Sequence, residues 1–264
     1  AVAMAIALAN NLSDPNNITY DDVHGTSDSG QDLSVYELDL ESSDVATLYG
    51  VDCLTQIETL RLDYNGSLGT NPGALDALLS VGSTLKRLYL SNAELTSVES
   101  MAALGVLDRL YLNGNSGLGA SGADLAPLGQ LDNLKILYLT GCDLTQASGL
   151  EELVLIQQLY LDYNDLEDDS WAAVQGLGTL RSLILTGNKF TIVPAEVSDL
   201  VNLTRLSLRD NEISDFSNLI ENLNFAPTEL QLTGNLNGSH GGEATEAEKV
   251  AWCATQLPIF EELE

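Results

Sequence analysis

Apolar residues recur along this chain on two scales. Residues 57–65 read Ile57-x-x-Leu60-x-Leu62-x-x-Asn65, and the pattern returns as Leu107 to Asn115, Ile156 to Asn164, Leu180 to Asn188 and Leu203 to Asn211. Copies from Leu85 and Leu134 end in Ala93 and Cys142, and weaker ones run from Val35 to Ser43 and from Pro227 to Asn235. Within a copy, apolar positions 4 and 6 alternate with polar neighbours, as along a half-buried strand. The nine starts, at 35, 57, 85, 107, 134, 156, 180, 203 and 227, lie 22 to 28 residues apart. A long period of this kind marks a stacked repeat. The spacing predicts nine parallel strands about 4.8 Å apart, with helices or turns on the opposite side.

The motif L-x-x-L-x-L-x-x-N resembles the leucine-rich repeat family. "AELTSVESMAALGVLDRL" (93–110) is similar to the 22-residue repeats of internalin-like bacterial surface proteins and of a phosphatase-regulating nuclear type. "NKFTIVPAEVSDLVNLTRL" (188–206) resembles a slightly longer class with Pro on the convex side, and "DPNNITYDDV" (14–23) resembles N-terminal caps of bacterial extracellular repeat proteins. The resemblance implies an α/β leucine-rich repeat solenoid with its parallel sheet on the concave face. It also implies that the Asn at position 9 bonds the backbone of a neighbouring turn, which makes Cys142 in that column a buried structural thiol.

A solenoid exposes an apolar face at each end and needs caps. The expected organisation is a cap over 1–33, nine repeats over 34–236 and a capping helix over 237–264, with Val250, Trp252 and Leu257 facing inward. Two units are lengthened by the related insertions "GSLGTNPGALDALLSVGST" and "SGLGASGADLAPLGQLDN". Each is expected to form a longer helix on the convex side, with a ligand-facing loop as the other reading.

Positions 2, 3, 5 and 7 of each unit face outward along the concave sheet. Position 5 reads Asp39, Arg61, Tyr89, Tyr111, Tyr138, Tyr160, Ile184, Ser207 and Gln231, so the four tyrosines form one stripe. Of ten basic residues, eight occupy outward positions: Arg61, Lys86, Arg87, Arg109, Lys135, Arg181, Arg205 and Arg209. Only a minority of the 39 acidic residues do so. The concave face is therefore close to neutral on a chain of net charge −29. Tyr and Arg suit binding surfaces because both join a large contact area to a polar tip. Stacked tyrosines would also stabilise neighbouring strands.

That net charge argues against nucleic acid and anionic membranes as partners. No apolar run is long enough to cross a bilayer. Cys53, Cys142 and Cys253 form neither a disulfide framework nor a zinc motif, and are expected to be three free thiols. "GLGASG" (117–122) matches a dinucleotide fingerprint but lies inside a repeat insertion, so it reads as packing rather than a cofactor site. "DYNDLEDDS" (162–170) lacks the Gly and terminal Glu of a Ca²⁺ loop and reads as a solvated acidic turn. His24 and His240 stand alone, and no nucleophile-base arrangement is present. Of the N-x-S/T sequons at Asn11, Asn17, Asn65, Asn202 and Asn237, Asn65 belongs to the buried column and is a poor glycan acceptor.

The expectation is a non-catalytic recognition module without cofactor or metal, extracellular or on a cell surface, with self-assembly possible. It would bind a protein or anionic glycan through Tyr89, Tyr111, Tyr138, Tyr160, Arg61, Arg87, Arg109, Lys135, Arg181, Arg205 and Arg209. Two other readings are a structural subunit of a surface layer, sheath or filament, and an intracellular regulatory subunit.

Overall fold

The computed structural model describes residues 35–235 apart from Tyr49, Pro72, Ser217 and 220–227. The two caps, Cys253, both histidines and the sequons at Asn11, Asn17 and Asn237 lie outside these residues. Nine strands form one sheet in chain order, every neighbouring pair parallel. They are β1 (Glu37–Asp39), β2 (Thr59–Arg61), β3 (Arg87–Tyr89), β4 (Arg109–Tyr111), β5 (Ile136–Tyr138), β6 (Gln158–Tyr160), β7 (Ser182–Ile184), β8 (Arg205–Ser207) and β9 (Glu229–Gln231). The register aligns position 4 across the whole sheet, for example Leu60 with Leu88 and Leu88 with Leu110. All nine predicted units are present, including the two weak ones.

Each strand is short because the chain turns at position 8, which is left-handed in every unit from Ser42 (φ 52°) to Gly234 (φ 79°). Leucines at positions 1, 4 and 6 fill one core between the sheet and the convex side, and Ile57, Leu60 and Leu62 are fully buried. Burying a side chain of that size contributes roughly 1.5–3 kcal/mol.

The convex side carries short 3-10 helices at Val51–Cys53, Glu99–Met101, Leu150–Glu152, Asp168–Ala173 and Ala195–Asp199. Each insertion adds two one-turn helices rather than one longer one: α1 (Ser67–Thr70) and α2 (Leu78–Val81), then α3 (Gly117–Ser121) and α4 (Ala126–Gly129). Helix α2 packs between the turns at 51–53 and 99–101, and α4 between those at 99–101 and 150–152. The insertions therefore thicken the convex row and do not project over the concave face.

Position 9 ties successive units together. Asn115 Oδ1 accepts from Ala93 N and Leu95 N of the preceding unit, each at 3.0 Å, while its Nδ2 donates to Leu90 O and Leu112 O. Asn65, Asn164, Asn188, Asn211 and Asn235 also reach back one unit. Where the residue is small, another group supplies the link. Gly69 N donates to Ala93 O and Gly119 N to Cys142 O. A Cβ on Gly69 would lie 2.0 Å from Glu94 O, and one on Gly119 1.8 Å from Asp143 O, so only glycine permits this approach. The same closeness accounts for "GLGASG" as a packing sequence. Cys142 is buried and unpaired, its Sγ donating to Leu112 O at 3.2 Å.

Candidate functional site

The strand register places Tyr89, Tyr111, Tyr138 and Tyr160 directly beside one another. Their rings stack nearly parallel, with centroids 4.3, 4.8 and 4.0 Å apart and interplanar angles of 6, 13 and 5°. The two flanking leucines on each strand are core, so backbone and ring are fixed together. Each stacked pair is worth about 0.5–1.5 kcal/mol beyond area burial. The guanidinium of Arg61 caps the stack 4.1 Å from the Tyr89 centroid, and Glu37 holds that guanidinium at 3.1 Å. The column thus spans six strands. At its other end Tyr160 donates to Gln158 Oε1 at 3.2 Å.

Stacking uses the ring faces on each other. What remains toward solvent is a row of ring edges and hydroxyls. Burial, reinforced by neighbouring phenols, raises the pKa of both Tyr111 and Tyr138, so these hydroxyls stay neutral donors well above physiological pH.

Beyond Tyr160 the face changes. Ser182, Ile184 and Ser207 are buried. At Ile184 and Ser207 position 5 is covered from solvent by its neighbours on the sheet. Small hydroxyls close up here: Thr186 and Ser207 bond at 2.7 Å, and Ser207 donates to Gln231.

The predicted cations fall into two groups. Arg61 pairs with Glu37, Arg109 lies 3.8 Å from Asp108, and Arg205 Nε lies 3.1 Å from Glu229 Oε2 without hydrogen-bond alignment. Lys86 likewise pairs with Glu58 at 2.5 Å. Arg87, Lys135, Arg181 and Arg209 form no ion pair among the described residues. The outward positions of units 3–8 carry seven cations against two carboxylates, Asp108 and Asp162. The centre of the face is thus net positive, and the neutral reading of the whole face averages it with acidic ends.

The acidic turn at 162–170 is more engaged than a solvated one. Asp162 accepts from Thr140 Oγ1, Asp165 pairs with Lys189 at 2.8 Å, and Asp168 accepts from the backbone and hydroxyl of Thr191. Burial raises the pKa of Asp162, and the Thr140 bond opposes the shift.

Two surface tyrosines escape a reading based on the strand positions. Tyr64 and Tyr163 occupy position 8 at φ 59° and 54°, and their side chains are exposed. Bulky residues rarely adopt this region. The twice-used "LDYN" at 62–65 and 161–164 is the signal that could have found them.

This architecture is a leucine-rich repeat solenoid. The leucine-rich repeat family profile matches residues 154–213. Among solved structures, internalin C2 of Listeria monocytogenes aligns at a TM-score of 0.69 and 26% identity, covering 88% of this chain and 92% of that one. An internalin, inlF, of the same organism aligns at 0.50 and 21%, covering 90% and 89%. A leucine-rich repeat protein of Leptospira interrogans aligns at 0.52 and 23%, covering 77% and 62%. A comparison with curated proteins gives no match. The chain has a leucine-rich repeat fold similar in architecture to internalin C2. Among the described residues no helix is long and apolar enough to cross a membrane.

Proposed function

We propose that this chain is a non-catalytic recognition module that binds a protein partner through its concave face, centred on Tyr89, Tyr111, Tyr138 and Tyr160. The observation that carries the reading is the stacked, half-exposed tyrosine column inside a net-positive strip on a chain of charge −29. Such a strip steers an acidic partner. A sugar ring would need an open aromatic face, and within the column the facing sides are taken by neighbouring rings. Hydroxyl edges and guanidinium groups suit the carboxylates and carbonyls of a protein. The internalin-like architecture supports a place outside the cell or on its surface.

The test is selection of a displayed random-peptide library on the immobilised protein, alongside an array of sulfated and uronic glycans. Peptides should be enriched, and Tyr111→Phe/Tyr138→Phe should weaken them at least tenfold while the melting temperature holds. Enrichment on the glycan array alone, or peptides indifferent to the double variant, would overturn the reading.

A further inference from the structure

The two tyrosines outside the strand pattern, Tyr64 and Tyr163, belong to a row of position 8 residues along one edge of the sheet. The row reads Ser42, Tyr64, Asn92, Gly114, Gly141, Tyr163, Gly187, Asp210 and Gly234, all at positive φ. The other seven are Gly, Asn, Asp or Ser, small residues that limit the steric cost of this conformation. The tyrosines take that cost in full, yet they stay 58% and 61% exposed. Neither ring meets another ring or a guanidinium among the described residues. One edge of Tyr163 lies against Gly187, where an added Cβ would come within 2.8 Å of ring atom Cδ1. The strained positions therefore hold two largely free rings in water, and an outlier of this kind motivates a functional reading.

The two rings are four strands apart, about 19 Å at the sheet spacing. Only Asn92, Gly114 and Gly141 lie between them in the row. Asn92 folds over Gly114, and nothing stands within 4 Å of the space a Gly141 side chain would fill. The rings are thus two posts at the ends of a low floor. The charge around them has one sign. In units 1–6 no Lys or Arg occurs from position 7 to the end of the unit. Glu94 and Asp143 are exposed there without an ion pair among the described residues. The Glu94 carboxylate lies against Gly66, two residues after Tyr64. On the strands, Arg61 is the basic residue closest in sequence to either ring, and it is already paired with Glu37 and seated on Tyr89. The first cations along the edge come after Tyr163: Lys189, which pairs with Asp165 at 2.8 Å, and Arg209.

We infer that this edge docks an extended segment of another protein whose arginines stack on Tyr64 and Tyr163. A guanidinium over a free tyrosine face gains cation–π attraction, and Arg makes this contact more often than Lys. The carboxylates of Glu94 and Asp143 complement the same groups. A sugar would also stack on a free ring, but the uniform negative charge around the posts favours a cation. In a polyproline II segment, residues six apart lie on the same edge at roughly 18.6 Å, which matches the posts. The site is separate from the concave column and does not rest on the reading proposed for it.

The probe is a fluorescent peptide with an arginine at each end of five prolines, read by anisotropy against the full chain at low ionic strength. A peptide with two prolines between the arginines keeps the charge and halves the spacing. A five-proline peptide ending in glutamates reverses the charge. The first should bind at least tenfold more tightly than either control. Tyr64→Asn/Tyr163→Asn should weaken it at least tenfold without lowering the melting temperature, because Asn92 already occupies this conformation. Glu94→Gln/Asp143→Asn should weaken it at least threefold, and Tyr111→Phe/Tyr138→Phe should leave it within twofold. Equal binding of the two arginine peptides would reduce the effect to net charge and sink the proposal. So would indifference to the Asn pair, or no binding of the longer peptide. If the melting temperature falls in the Asn variant, the Glu94 and Asp143 pair decides, and unchanged binding there overturns the proposal.

Discussion

Units 1–5 and units 6–9 build the same solenoid by different rules. In the first group lengths alternate between 22 and 27 or 28 residues, and position 9 alternates between Asn and the small residues Ser43, Ala93 and Cys142. In the second, position 9 is Asn throughout, in Asn164, Asn188, Asn211 and Asn235. The uniform group shares its hydrogen bonds. Leu161 O accepts from both Asn164 and Asn188, and Leu185 O from both Asn188 and Asn211. The alternating group has less redundancy and relies on glycine amides pressed against the next turn. The lesson is that the repeat conserves satisfied backbone groups, and the side chain that satisfies them can change. The family profile, which matches residues 154–213, lies almost entirely within the uniform group.

The largest expected effect tests that redundancy. Asn115→Ala leaves Ala93 N, Leu95 N and Leu90 O without their partner, whereas Leu112 O keeps the Cys142 thiol. Asn188→Ala orphans only Leu166 N, because Leu161 O and Leu185 O keep other donors. At roughly 1–3 kcal/mol per buried unsatisfied group, urea unfolding should show losses of about 4 kcal/mol for Asn115→Ala and about 1.5 kcal/mol for Asn188→Ala. Equal losses would refute the contrast.

Gly119→Ala comes next. Its Cβ would meet a backbone oxygen that no rotamer can move, and overpacking of this kind costs about 1–3 kcal/mol. Gly105→Ala meets nothing within 4 Å and serves as the control, with a shift under about 0.5 kcal/mol.

A smaller effect is alkaline. Burial pushes the Cys142 thiol up to about 11 and raises Tyr111 and Tyr138. For a group whose folded pKa exceeds its unfolded value, the stability it contributes is complete below the unfolded pKa and is lost as pH rises through the folded one. The melting temperature should therefore fall from pH 9 to 11. Cys142→Ala should flatten part of that fall and Tyr111→Phe/Tyr138→Phe another part. A fall unchanged in both variants would assign it elsewhere.

The smallest stability change is expected for Tyr111→Phe/Tyr138→Phe, which keeps both rings and should shift unfolding by less than about 0.5 kcal/mol. Tyr111→Ala breaks two stacks and should cost about 1–3 kcal/mol. The comparison separates ring from hydroxyl, and so strand stabilisation from recognition.

The strands, their order and the tyrosine column were legible because leucine spacing fixes which way every strand residue points. Even Val35 and Pro227, poor matches at position 1, lie in units whose strands join the sheet. The insertions were legible in place but not in form, since two one-turn helices and one longer helix bury similar apolar residues. The pairing of cations was hidden: Arg205 and Arg181 look alike in sequence, and only the neighbouring strand supplies Glu229 to one of them. The burial of Ile184 and Ser207 depends on packing across strands, which a single unit's pattern does not encode.

The backward reach of the position 9 links gives the molecule a direction in time. Unit 1's turn is completed by Asn65, unit 3's by Asn115, unit 5's by Asn164, and unit 8's by Asn235. Where the later residue is small, the carbonyl of Ala93 or Cys142 still completes the turn before it. Each unit is thus finished by its successor. A chain emerging from the ribosome N-terminus first would carry one incomplete turn, always the newest, and closing it would require only the next two dozen residues.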